Sequence, residues 1–286
     1  MKYYLDTNVL YNIRKIKDRL KDQCFYSVFG LQEIVAGVND KDFGRRKATL
    51  KNIIDSGIHF DRAFVQEILF NSFDFFKAYS FSYYRFDHLF SIVFDIIDSK
   101  SYHDFYTPIS EGKKSYDFTY FVEEDSFLTA NFSRSSAKGI ATLKALMVDK
   151  TIDHRVHFNG EIFDLSTKAG LVKFLQHYQI NIGFTKIALA SEAKERLGIE
   201  GSDDVIEQIF TSYNGSIDIY LKGFSEYLKC QTINDGAPIK NDMQDLIHVY
   251  YLQNDMNIKL ISDDRMFRKY IPDHVISLEE FLSVSF

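Results

Sequence analysis

The opening MKYYLDTNVLYNI (residues 1–13) changes hydrophobic period at Asp6. Residues 2 to 6, KYYLD, read as a short buried strand, after which Val9, Ile13, Ile16 and Leu20 recur at helical spacing, so a strand is expected to feed directly into one helix. The far end repeats this order. A helix is expected over 242–254, a strand over 258–262, a short strand at Val275 and Ile276, and a last helix in SLEEFLSV (277–284). Strand and helix alternating at both ends predict an α/β fold, a parallel sheet with helices on its faces.

Next to the opening, Ser27 is a candidate N-cap, and Leu31, Ile34, Val35 and Val38 form one apolar helical stripe. A third helix is expected over about 45–54, stopping at Ser56 and Gly57. From about 61 to 235 the sequence is aromatic-rich and mostly helical in pattern, with one hairpin signal, RVHF-NG-EIFDL, around Asn159 and Gly160. The expected organisation is a sheet domain in two parts, 1–60 and 236–286, carrying a large helical insertion, 61–235, that contains the β-hairpin. NFSRSSAKG (131–139) reads as a loop.

With 286 residues, 45% of them hydrophobic and 26% charged, the chain has enough apolar material for a sizeable core and lacks the composition of a disordered protein. Its net charge of −6 denies it the positive field of a general nucleic-acid binder, so any such contact must use local basic patches. Cys24 and Cys230 stand far apart with no zinc-ligand spacing. The start lacks an apolar signal run, and HLFSIVFDII (88–97) is too short and too charged to span a bilayer; a cytoplasmic chain with no membrane partner is expected.

Ligands of open parallel sheets bind at the carboxyl ends of strands. Asp6 stands at such an end, and so do Asp263 and Asp264 after NIKLIS. Glu33 lies on the second helix roughly opposite its apolar stripe, and Asp242 and Asp245 share a helical face. Carboxylates gathered at one edge repel unless a cation neutralises them, and oxygen ligands without cysteine or histidine suit Mg2+ or Mn2+.

The arrangement resembles the PIN-domain family of metal-dependent nucleases, to which the small VapC-like toxins belong. MKYYLDTNVLYNI looks like the family's first strand ending in Asp-Thr-Asn. SVFGLQEIVAGV (27–38) looks like its Ser-led helix bearing Glu, and DLIHVYYLQNDMNIKLISDDRMF (245–267) like the segment that runs from a helix-opening Asp through a strand to Ser-x-Asp. The resemblance covers roughly residues 1–57 and 240–286. It implies that Asp6, Glu33, Asp245 and Asp264 are the catalytic, metal-holding acids, with Thr7, Asn8, Ser262, Asp242 and Asp263 as supporting groups and Asp263 a rival to Asp264. It also implies a Mg2+ or Mn2+ cofactor, phosphodiester hydrolysis leaving 5′-phosphate and 3′-hydroxyl ends, RNA as the preferred substrate, and a regulatory protein or antitoxin as a partner; the inserted helical part is a candidate interface for a second copy.

Each residue also has a plainer reading. Asp6 alone reads equally well as a helix cap, Glu33 as a solvated helix residue, and Asp242 and Asp245 as acids favoured by a helix N-terminus. Arg14 and Lys15, with Arg45, Arg46 and Lys47 in GRRKATLK (44–51), are candidate phosphate contacts, or else a solvated cationic face. Lys113, Lys114, Arg134, Lys138 and Lys144 are looser candidates. The aromatic stripes between 64 and 94 read as core, and His248 as either a cleft residue or a packed, hydrogen-bonded one. A phosphatase built on an Asp-x-Asp nucleophile pair is disfavoured, because Asp-Thr-Asn follows the first strand.

Overall fold

A computed structural model of the chain describes residues 1–78, 86–116, 141, 145, 148, 149, 151, 153–201, 203–234 and 240–283. The strands are β1 (Lys2–Leu5), β2 (Cys24–Ser27), β3 (His59–Asp61), β4 (Arg155–Phe158), β5 (Glu161–Asp164), β6 (Ile258–Ile261) and β7 (Val275–Ile276). The first helices are α1 (Thr7–Leu10), α2 (Asp18–Lys21), α3 (Val28–Ala36), α4 (Phe43–Asp55), α5 (Val65–Asn71), α6 (Phe86–Asp98) and α7 (Tyr102–Ser110). They are followed by α8 (Lys168–Gln176), α9 (Tyr178–Arg196), α10 (Asp203–Thr211), α11 (Asp218–Ile233), α12 (Lys240–Ile247), α13 (Arg265–Tyr270) and α14 (Leu278–Ser283).

Five strands form one sheet in the order β3-β2-β1-β6-β7, every pair parallel. Tyr4 lies beside Phe25 of β2 and Leu260 of β6, so β1 is central and needs apolar side chains on both faces. The alternation of a strand then divides the core. Tyr3, Leu5, Cys24, Tyr26 and Ile261 face a cluster completed by α3, α4, α6 and α14, whereas Tyr4, Phe25 and Leu260 face a second one completed by α5, α9, α11, α12 and α13. The second cluster joins residues 65–76 and 189–227 to the sheet that the chain ends build. The boundary expected between 60 and 61 falls inside β3.

Several expectations hold. Ser27 Oγ accepts from Gly30 N at 3.2 Å and caps α3, whose Leu31, Ile34 and Val35 are buried. The hairpin pairs Phe158 with Glu161 across Asn159 and Gly160, both at positive φ (49° and 81°), as an Asn-Gly turn of this kind requires.

Others are corrected. The single helix expected from Val9 to Leu20 is instead three short turns, α1, a 3-10 turn at Ile13–Lys15 and α2, with their apolar residues still buried. The spacing fits a helix because each turn drops one apolar residue onto the same core. β2 and β3 were not expected. Cys24–Ser27 runs directly into the α3 pattern, and His59–Asp61 is too short and polar for its alternation to show. The helix expected over 242–254 is α-helical only to Ile247, tightens to 3-10 at His248–Leu252 and ends at Gln253 in the left-handed region. The 131–139 loop and Arg134, Lys138 and Lys144 lie outside the described residues. No helix among the described residues is long and apolar enough to cross a membrane.

Candidate active site at the carboxyl edge of the sheet

The chain lays down β1, β2 and β3 outward in one direction and later adds β6 and β7 on the other side of β1. The strand order therefore reverses between β1 and β6, the place where an open parallel sheet presents a crevice beyond its carboxyl ends. Asp6 follows β1 and Ser262 follows β6, and there they meet: Ser262 Oγ donates to Asp6 Oδ2 at 2.6 Å. Asp6 Oδ1 accepts from Thr7 N at 2.6 Å, so the same carboxylate caps α1. Asp6 is 5% exposed. Burial, the largest influence, raises its pKa and Glu33 adds to the rise, while His248, Ser262 and the Thr7 amide pull the other way.

Glu33 arrives from α3. Gly30, one turn earlier, lets α3 approach α1 closely, since a Cβ there would stand 3.0 Å from Leu10 Cδ1 and 3.6 Å from Thr7 Oγ1. Thr7 Oγ1 donates to Glu33 Oε2. Two further donors come from the third segment: Gln244 Nε2 reaches Glu33 Oε1 at 3.1 Å, and His248 Nε2 lies 2.9 Å from Glu33 Oε2.

His248 is 1% exposed and its Nε2 is also 3.4 Å from Asp6 Oδ1. Its Nδ1 lies 2.7 Å from Tyr4 Oη, which is 2.7 Å from Ser27 Oγ. Burial works hardest against protonating the ring, yet the carboxylates of Glu33, Asp6 and Asp245 outweigh it and push the pKa up to about 9. The ring is thus a cation near neutral pH, both nitrogens donating, with Tyr4 Oη accepting from Nδ1 and donating to Ser27. Of the two sequence readings of His248, the packed and hydrogen-bonded one holds, with the ring set against the carboxylates of Glu33 and Asp6.

Asp245, half-buried on α12, completes the group. Its pKa rises to about 7 through burial first and then through Asp6, Asp264 and Glu33, with His248 opposing. Asp264 Oδ1 caps α13 through Met266 N at 2.7 Å, and Asp264 N donates to Ser262 Oγ at 3.1 Å. Asp263 turns elsewhere: its Oδ1 accepts from Leu278 N at 3.1 Å, at the start of α14. Asp242 lies half-buried in the first turn of α12, among the charges acting on Lys269. Asn8 is exposed on α1, its carbonyl accepting from Asn12.

The oxygen donors of Asp6, Glu33, Asp245 and Asp264 suit a hard dication. Their placement does not: among the described residues no group of three or more His, Cys, Asp and Glu side chains stands ready to hold a metal ion. His248 supplies the positive charge between Asp6 and Glu33.

The five candidate cations divide. Arg46 is occupied within the protein, its Nε 2.6 Å from Asp42 Oδ2 and its Nη1 on the carbonyls of Ile34 (2.8 Å) and Glu33 (3.3 Å). Lys47 Nζ donates to the Ser99 carbonyl at 2.5 Å. Arg14 donates to Asn52 Oδ1 at 2.8 Å, and Lys15 is exposed on the adjoining 3-10 turn. Arg45 is exposed, its guanidinium 4.3 Å above the Tyr11 ring, close enough to the site that Arg46, Arg45, Asp42 and Glu33 all act on the Tyr11 hydroxyl. Lys113 and Lys114 pair with Glu111 and Asp95.

Tyr4 and Gln244 are the residues that sequence reasoning passed over. Tyr4 reads as strand core, and core is what its ring is; only the hydroxyl belongs to the site. Gln244 carried a signal, standing beside Asp245 and four residues before His248. Comparison of the chain with protein-family models, curated proteins and solved structures returned no match.

Proposed function

We propose that this chain is a PIN-like, metal-dependent nuclease, an endoribonuclease leaving 5′-phosphate and 3′-hydroxyl ends. One observation carries the reading: four carboxylates from separate elements share one field at the switch point of a parallel sheet, and one of them, Asp245, has its pKa raised to about 7. Acids crowded at a cleft at a cost to the fold mark functional sites. Asp6, Asp245 and Asp264 are the groups that would hold Mg2+ or Mn2+, their oxygen donors being the kind such an ion takes. A bound dication would supply a nucleophilic water and neutralise charge on the phosphate. Thr7, Gln244 and His248 hold Glu33 toward Asp6, where it orients water at the scissile phosphate. Ser262 fixes Asp6, and Arg45 over Tyr11 is placed to grip a neighbouring phosphate.

RNA as substrate and an antitoxin-like protein over the acidic edge rest on the resemblance alone. So does the role of 61–235 as an insertion governing which RNA is cut. The test is cleavage of single-stranded RNA against a small phosphomonoester, each with and without manganese. Manganese-dependent cutting of RNA alone is expected; cutting of the monoester alone would put a phosphatase in its place.

A second reading has its own observation. His248 stands against both Asp6 and Glu33, so part of the cluster's negative charge is offset without a metal. That suits a PIN-like scaffold that binds RNA or protein without cutting. RNA bound but never cut at any manganese concentration would favour it.

A further inference from the structure

We infer that Gln244 and His248 are a pair of positioning residues that fix the direction of the Glu33 carboxylate, an inference that rests on the nuclease reading for its catalytic consequence. A glutamate has three rotatable side-chain bonds, and aiming its head requires bonds to both oxygens. Glu33 has them: Gln244 Nε2 takes Oε1, while His248 Nε2 and Thr7 Oγ1 take Oε2. Gln244 and His248 stand four residues apart, one helical turn, so a single stretch of chain delivers both donors to one carboxylate. The histidine ring is held from behind by Tyr4 Oη, itself seated on Ser27 Oγ, and Tyr4 and Ser27 are fully buried. Thus the ring cannot turn without breaking a buried bond.

The clamp is not what holds α3 in place. Leu31, Ile34 and Val35 bury that helix in the core on its other side, and Ser27 caps its start. A polar grip on both oxygens of the one acid aimed back toward Asp6 therefore serves orientation. Asp245, between the two donors in sequence, shares α12 with Gln244, and His248 opens the 3-10 turn that directly continues it, so a shift of α12 moves Gln244 and Asp245 together.

Two measurements test this. The first needs no activity: in NMR spectra of wild type, the Gln244 side-chain amide protons should be shifted downfield and exchange slowly, and both features should vanish in Glu33→Ala. A freely exchanging Gln244 amide in wild type would overturn the inference. The second uses manganese-dependent cleavage of single-stranded RNA by Gln244→Met, which keeps volume but loses the donor, and Gln244→Glu, which presents an acceptor instead. Expected is a fall in kcat of tenfold or more with KM within twofold, Gln244→Glu the worse. Both variants keeping kcat within twofold of an active wild type would overturn it. A held Gln244 amide in a wild type that cuts no RNA would retain the clamp and remove the nuclease reading.

Discussion

His248 Nε2 lies 2.9 Å from Glu33 Oε2, joining residues 215 positions apart and setting a buried cation against an acid from the opposite side of β1. Because the same nitrogen is 3.4 Å from Asp6 Oδ1, the acidic edge is an alternation of charges rather than a bare cluster of like ones. That arrangement governs how the site responds to substitution, to pH and to metal.

Asp6→Asn separates ligand from cap. The amide keeps a carbonyl for Thr7 N and presents its NH2 to Ser262 Oγ, which can accept it, but loses the charge that burial disfavours and that a hard dication requires. Cleavage should disappear and manganese should no longer raise Tm, while the metal-free Tm is equal to or above wild type. A variant that keeps normal activity and a normal response to metal would assign Asp6 to capping alone.

The metal-free protein should lose stability as pH rises, in two steps. Asp245 has a folded pKa raised to about 7, so its ionisation costs stability between about pH 4 and 7; allowing for water at this partly open carboxyl, the cost is about 1–2 kcal/mol. His248 has a folded pKa raised to about 9, so its contribution is complete below its ordinary value of 6.5 and is lost as pH climbs through 9, on the order of 3 kcal/mol. Thermal melts in chelator from pH 4 to 10 would resolve the steps. Asp245→Asn should remove the lower one and His248→Asn the upper one.

Manganese binding should release a proton from Asp245. Below pH 7 affinity then falls up to tenfold per pH unit, so the Tm rise at fixed manganese should be larger at pH 8 than at pH 6. In Asp245→Asn the difference should flatten. Equal Tm rises at both pH values in wild type would take Asp245 out of the ligand set.

Neighbouring arginines should behave in opposite ways. Arg46→Ala strips Asp42 and the carbonyls at the end of α3 of their donor and should cost about 2 kcal/mol of stability. Arg45→Ala should leave Tm nearly unchanged but weaken RNA binding, lowering the salt slope by about one unit. An unchanged slope would return Arg45 to the solvated surface.

Much of this was written locally in the chain. The strand before Asp6, the Ser27 cap, the Asn-Gly turn and the strand before Ser262 each depend on residues within a few positions of one another, and each shows in spacing or turn chemistry. The short turns after Asp6 and the polar strand β3 did not show, because packing against the rest of the protein overrides a weak local preference.

The amino-acid sequence by itself determined that an α/β sheet would form and that Asp6 and Ser262 would end strands. Only the tertiary structure decided that those strands are neighbours at the switch point, that Asp263 binds the Leu278 amide at the start of the last helix while the charge of Asp264 acts on Asp245, and that Arg46 serves α3. It also decided that His248 stands between Glu33 and Asp6 with its proton held. The physical reason is range: helical and strand periods act over a few residues, whereas a buried charge takes its state from whatever the strand order brings beside it.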